Sequence, residues 1–267
     1  LMKYMVDHDY HLHSHLSLCS DDPRQTTARM LAYAAANGLR ELCLTDHFWD
    51  EAIAVTFDFY ARQNYAHIAQ ALPLPQSDGI RFFFGCETDM DQNGRLGLMD
   101  KTFDQFDFVI IPTTPLHMEG FTIAPEDRSL ERRAQLYVSR LDALLDMDLP
   151  FQKIGIAHLT CPLIAPASWA DHIELIRRIS SDTFHRLFAR VAERGAGVEL
   201  NLDASAYTPH ELAEILRPYR IAMACGCRFY LGSDAHHPAG LDAAKDNFNR
   251  LINLLDLTED RKFRFHK

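Results

Sequence analysis

Apolar residues in this chain recur in two rhythms that take turns. Seven short apolar runs have the length and the β-branched and aromatic content of buried strands: "YMVDHDYHLH" (4–13), "ELCLTDH" (41–47), "IRFFFGCE" (80–87), "FDFVIIPTT" (106–114), "KIGIAHL" (153–159), "GVELNL" (197–202) and "FYLGSDAH" (229–236). Between them, apolar positions repeat at helical spacing over roughly 24–37, 58–71, 127–146, 168–194, 209–223 and 240–256. The first helix places Ala28, Leu31, Ala32 and Ala35 on one face, with Gly38 set to stop it. The third places Leu130, Ala134, Tyr137, Leu141 and Leu144 at the same period. Strands alternating with helices in this way predict a parallel α/β architecture. The count suits a closed barrel of (β/α) units better than an open doubly wound sheet. In either, functional groups lie beyond the carboxyl ends of the strands.

What ends each strand turns the question from fold to chemistry. In "DYHLHSHLSLCSDD", His11, His13 and His15 alternate, so a strand would point all three the same way. The second run ends in Asp46 and His47, and the third in Glu87 with Asp89 close behind. The fourth enters a turn holding His117 and the fifth ends in His158. The sixth carries Glu199 and Asn201, and the seventh ends in Asp234 and His236. One histidine at a strand end is usually a hydrogen-bonded structural residue. Seven strands delivering histidines or acids to the same end are not explained that way. Imidazoles mixed with carboxylates are the ligand set for zinc, manganese or iron.

In order and spacing, "HLHS…CSD", "TDH", "GCE", His117, "IAH" ending in His158 and "GSDAH" resemble the motifs of the PHP (polymerase and histidinol phosphatase) domain, over residues 9 to 236. The resemblance is closest to the stand-alone phosphoesterases of the histidinol-phosphatase type. It implies a distorted (β/α)7 barrel, TIM-barrel-like, with two or three divalent ions (manganese, zinc or iron) at its C-terminal mouth. Position by position it makes His11 and His13 the paired ligands of the first motif and Glu87 the carboxylate bridging two metals. His47, His117 and His158 become single ligands, and Asp234 with His236 the closing pair. Where such proteins often read Cys-Gly-His, this chain has Cys19-Ser20-Asp21, so Asp21 is expected as the remaining ligand, with Asp22 the competitor. An aspartate there would tilt preference toward manganese or iron.

The bland readings stand beside these. His15 is as readily solvated as ligating, and His237 divides evenly between surface and substrate phosphate. Asp46 is expected to orient a ligand, and Glu199 and Asn201 to support the site from beneath. Phe48 and Trp49 either wall the pocket or pack in the core. His8, His67, His172, His185, His210 and His266 read as structural or surface residues.

Composition narrows the function. The 267 residues suit one domain spanning 1–267, and 47% hydrophobic content is ample for a core. The net charge of −10, without a basic run, disfavours long nucleic acid and anionic membranes but leaves room for a small phosphate pocket. No apolar stretch approaches the ~20 residues of a membrane span, no signal-peptide pattern opens the chain, and Leu1 reads as a remnant of processing or cloning. None of the six cysteines forms a C-x-x-C pair, and Cys43 and Cys86 fall in apolar runs. A reduced, cytoplasmic protein is expected.

The leading expectation is a phosphatase: two cations about 3.5–4 Å apart make hydroxide available near neutral pH, and it attacks a small phosphomonoester, histidinol phosphate being the best single substrate. Catalysis is expected to rest on Glu87, Asp234 and His236, and phosphate to be gripped by Arg95, Arg128 or His237. The alternatives are a phosphodiesterase or exonuclease acting on nucleotides and a non-catalytic metal-binding module. Nothing in the sequence reports the oligomeric state.

Overall fold

Each apolar run becomes a strand in the computed structural model, which describes residues 1–265; His266 lies outside them. The strands are β1 (His8–Leu12), β2 (Glu41–Leu44), β3 (Arg81–Phe84), β4 (Cys86–Glu87), β5 (Val109–Ile110), β6 (Ile154–Ile156), β7 (Gly197–Leu200) and β8 (Arg228–Leu231). They are shorter than predicted because the last residues of each run leave the ladder to form the loops that carry the polar groups. The fourth run keeps only two ladder residues, since Pro112 has no N–H to continue it. The third run is divided at Gly85 into β3 and β4.

All strand pairs are parallel, in the orders β1-β2-β3 and β4-β5-β6-β7-β8. The two sheets are stitched together where Gly85 N–H donates to Leu44 O and Glu87 N–H donates to Asp46 O. At the other side a bridge joins Leu12 to Ala235, and Asp234 N–H donates to His11 O at 2.8 Å. Tyr10, Cys43, Phe108, Ile110, Ala157, Tyr230 and Phe263 pack as a separate buried cluster. His8 ties β1 to β8: Leu231 N–H donates to its Nε2 at 3.0 Å while its Nδ1 faces Asp7 Oδ1 at 2.8 Å. That pattern fixes a neutral imidazole with its proton on Nδ1.

Around the strands lie α1 (Thr27–Asn37), α2 (Asp58–Ala61), α3 (Tyr65–Ile68), α4 (Leu130–Asp146), α5 (Trp169–Arg178), α6 (Ser181–Arg194), α7 (Pro209–Ala224) and α8 (Pro238–Leu255). Gly38 ends α1 at φ 70°, the left-handed cap that its lack of a Cβ permits. The face of α1 differs from the expected one. Met30, Tyr33 and Ala34 are buried, whereas Ala28, Ala32 and Ala35 are exposed and Leu31 is half-buried. Three alanines bury little apolar area, so one Met and one Tyr decide the orientation. In α4, Ala134, Tyr137, Leu141 and Leu144 are buried as their period implies, with Leu130 half-buried. The predicted helix 168–194 is two helices, because Ile179 is extended and the Ser180 side chain accepts from Thr183 N–H to start α6. The stretch 58–71 likewise breaks into α2, α3 and a short 3₁₀ turn.

The six cysteines are free thiols, with Cys43 and Cys86 fully buried. Among the described residues no helix is long and apolar enough to cross a membrane.

Candidate metal centre

The carboxyl ends of β1, β4, β6 and β8 and the loop after β2 converge on one point. His11 Nε2 and His13 Nε2 are 3.0 Å apart. Glu87 Oε2 lies 3.3 Å from His11 Nε2, 3.1 Å from His13 Nε2 and 3.3 Å from His47 Nδ1, while its Oε1 is 3.1 Å from His158 Nε2. Asp234 Oδ1 is 3.3 Å from His11 Nε2 and 3.1 Å from His13 Nε2. The donors fall into two sets that fit a metal ion each: His13, His47 and His236, and His11, Glu87, His158 and Asp234.

A surrounding layer of hydrogen bonds aims these side chains. His11 Nδ1 donates to Glu199, which leaves Nε2 facing the centre. His13 Nδ1 donates to Ser17 Oγ at 2.9 Å, and Ser17 Oγ donates to Asp46 at 2.6 Å. Asp46 also accepts from Ser14 N–H and Oγ, so it orients His13 from one residue away. His236 Nδ1 donates to Asp234 O at 2.8 Å. Gly232 is needed here: a Cβ on it would run into Glu199 Oε1 and His11 Cβ. His158 and Asp234 have φ of 61° and 53°, left-handed values that cost L-residues about 1–3 kcal/mol each. Such strain at two strand ends of one site persists because it turns those side chains inward.

The electrostatics ask for positive charge. Burial opposes the charged form of His11, yet Glu199, Asp234 and Glu87 outweigh it and raise its pKa well above the ordinary range. His13 and His158 are raised in the same way, against burial, by bonds to Asp234, Glu87 and Cys161. Glu87 and Asp234 are held well below the carboxylate range, burial being overcome by the imidazoles around them. Burial and cationic neighbours push His47 down to about 3 and His236 to about 4. Glu87 Oε2 and Asp234 Oδ1 are buried without a hydrogen bond of good geometry. Orphaned buried oxygens facing imidazole lone pairs fit divalent cations, which supply the charge otherwise collected as protons.

The centre opens into a cavity of about 410 Å³. Phe57, Phe59, Tyr60 and Met118 form an aromatic and apolar wall beside His47, and no Arg or Lys lines the cavity among the described residues. Tyr60 donates to Asp89 and stands 3.3 Å from His47 Nδ1. Burial and the Glu87 charge raise the Asp89 carboxyl to about 7.

Other expected residues fall elsewhere. Asp21 is not in the centre: its side chain is 88% exposed and pairs with His237 at 3.5 Å. The loop after β1 turns outward there, and Cys19 takes the place at the cavity. Asp22 is bound to Arg24. His117 lines the cavity but belongs to neither donor set. Arg95 is engaged by Asp91 and Ala54 O, and Arg128 by Glu119; neither lines the cavity, nor does His237. Phe48 and Trp49 are core residues, 1% and 2% exposed. His15 is exposed.

The helix 58–71 pattern hid Phe59 and Tyr60 of that wall, which come from its broken start, and Phe57 lies in the loop just before it. Two buried arginines also went unseen. Arg133 holds the carbonyls of Leu116 and Arg128, fixing the His117 loop. Arg140 holds those of Met90, Asp91, Thr113 and Thr122, fixing the loops behind Asp89. The signal that would have found them is register: Arg133 and Arg140 fall at helical spacing with Tyr137, Leu141 and Leu144 on the apolar face.

The profile of the PHP domain matches residues 9–203. The chain belongs to the PHP-domain family. With this cluster, a PHP-domain protein is a metal-dependent phosphoesterase, a hydrolase. A histidinol phosphate phosphatase from Lactococcus lactis, solved with zinc, L-histidinol and phosphate, superposes with a TM-score of 0.58 at 18% identity, covering 97% of this chain and 98% of that one. That likeness shows a shared fold. An adenosine deaminase from Xanthomonas campestris with bound zinc gives a TM-score of 0.45 at 12% identity, over 97% and 62% of the two chains. A triazine hydrolase from Arthobacter aurescens gives 0.42 at 11%, over 86% and 59%. No curated protein matches the chain.

Proposed function

We propose that this PHP-domain protein is a cytoplasmic phosphomonoesterase for a small phosphorylated metabolite, histidinol phosphate being the best single substrate, and that its strands form one distorted (β/α)7 barrel. The observation that carries the reading is a pair of donor sets lining a cavity of about 410 Å³, with Glu87 of one set also lying 3.1 Å and 3.3 Å from His13 and His47 of the other. A cavity of that size suits the phosphate end of a small molecule.

His13, His47 and His236 would hold one divalent ion, and His11, Glu87, His158 and Asp234 a second. Bound ions supply a Lewis acid for the phosphoryl oxygens and a water of lowered pKa. With Asp21 outside the centre, the argument for manganese or iron over zinc lapses; the first set is all imidazole, which suits zinc. A third ion would need His117, which faces the same cavity. Among the described residues no Arg or Lys lines the wall, and His117, whose pKa burial lowers, would offer the phosphate an N–H rather than a charge. Phe57, Phe59 and Tyr60 exclude water from one side of the reacting phosphate.

The test is phosphate release from L-histidinol phosphate beside hydrolysis of bis-p-nitrophenyl phosphate by the manganese- or zinc-loaded protein. Preference for the monoester by at least tenfold is expected. Preference for the diester would replace this reading with that of a phosphodiesterase.

A further inference from the structure

A second cavity, of about 350 Å³, meets the first at His158, Leu163 and Asp234, which line both. It runs away from the centre toward Trp169, Tyr207 and Asp203. We infer that this lobe is the subsite for the alcohol half of the substrate, and that it selects a ring or chain bearing a protonated or N–H-donating nitrogen. The inference rests on the phosphoesterase reading only for what it says of the phosphate half.

The aromatic wall of the lobe is built to be rigid. Trp169 leads α5, with its ring 4.8 Å from that of Tyr207 and edge-on to His172 at 4.7 Å and 78°. His172 is fully buried and its Nε2 is 3.2 Å from the Tyr207 hydroxyl, so the three side chains brace one another. Trp169 is nevertheless 42% exposed. A braced indole lining a cavity beside the reaction centre is a ready platform for a flat or cationic group.

The charge of the lobe chooses between those. Asp203 Oδ1 accepts from both N–H and Oγ of Ser205, which holds the carboxylate still. Asp203 is exposed, so its second oxygen can exchange water for an N–H of a ligand. No Arg or Lys lines this lobe either, among the described residues. A second phosphate or a carboxylate on the substrate would meet Asp203 without a compensating cation, and a purely apolar ring would leave Asp203 idle. A cationic nitrogen uses both the indole face and the carboxylate.

The experiment compares kcat/KM for L-histidinol phosphate and phenyl phosphate in wild type, Trp169→Ala, Trp169→Phe and Asp203→Asn, all metal-loaded. It adds a titration with L-histidinol followed by tryptophan fluorescence. Trp169→Ala and Asp203→Asn should raise KM for L-histidinol phosphate about tenfold with kcat little changed, lowering its preference over phenyl phosphate by a similar factor. Trp169→Phe should recover most of the loss. L-histidinol should quench wild-type fluorescence saturably, and Asp203→Asn should weaken that binding. An unchanged preference with no saturable quenching overturns the subsite while leaving the enzyme reading intact. No turnover of either ester, with saturable quenching that depends on Asp203, overturns the enzyme reading and keeps the subsite.

Discussion

Replacing Glu87 by Gln strikes a ligand of one donor set that also reaches His13 and His47 of the other. Glu87 is 2% exposed and its two oxygens lie 3.1–3.3 Å from nitrogens of four histidines. The amide keeps the shape but removes the anion and one coordinating oxygen. A site filled at about 100 times its Kd stabilises the fold by about 2.7 kcal/mol, so two sites contribute about 5 kcal/mol. At roughly 2–4 °C per kcal/mol for a chain near this length, metal should raise the wild-type Tm by roughly 10–20 °C. If Gln weakens each site about 100-fold, occupancy falls near half and the gain drops to about 1 kcal/mol in all, a few degrees. The assay is thermal melting of both proteins, chelator-stripped and reloaded, with elemental analysis and turnover on the same samples. Stripped Glu87→Gln should melt close to stripped wild type, since it no longer buries a carboxylate balanced only by protonated imidazoles. A full metal complement, a wild-type Tm gain and near-normal turnover in the mutant would refute this role for Glu87.

Asp21→Ala should leave metal content and turnover within twofold of wild type, because its side chain points into solvent; loss of a metal equivalent by elemental analysis would restore it to the centre. Gly232→Ala should cost about 1–3 kcal/mol in urea unfolding and reduce metal content, because the new Cβ displaces Glu199 from His11; unchanged stability and metal would contradict that geometry. His8 should make the protein acid-sensitive well above the carboxylate range. Burial lowers its pKa from 6.5 to about 4 against the pull of Asp7, so the unfolded chain takes up a proton that the folded one refuses. Stability therefore falls as pH drops, by about 2 kcal/mol between pH 7 and pH 5 from this residue alone. Urea unfolding across that range should show the slope reduced by this amount in His8→Gln, and equal slopes would sink the assignment.

Much of this centre could be read from the chain because its chemistry is written in rare residues at regular places. A period of two put His11 and His13 on one face, and the other strand ends repeated the message with Asp46-His47, Glu87, His158 and Asp234-x-His236. Positions farther from a strand end, such as Asp21, were not legible. Nothing in "CSDD" says that the chain turns Cys19 toward the cavity and Asp21 away from it, because loop dihedrals have no period to read. The aromatic wall was hidden for a related reason: Phe59 and Tyr60 sit in a stretch whose helical spacing masks a break near Asn64, and Phe57 lies in the loop just before it. The face of α1 was misread because alanines count as apolar in a pattern yet bury little area. Arg133 and Arg140 carry charge, which a pattern assigns to solvent, whereas here backbone carbonyls satisfy both.

On this reading, divalent ions held by the two donor sets make this protein a phosphoesterase. The most direct measurement is phosphate release from L-histidinol phosphate by one preparation, first stripped with chelator and then titrated with Mn²⁺ or Zn²⁺. The expected result is release at the uncatalysed rate when stripped, rising with added metal and levelling at two or three equivalents per chain. Equal release before and after stripping, or none at any metal level with this or any other phosphomonoester, would contradict it.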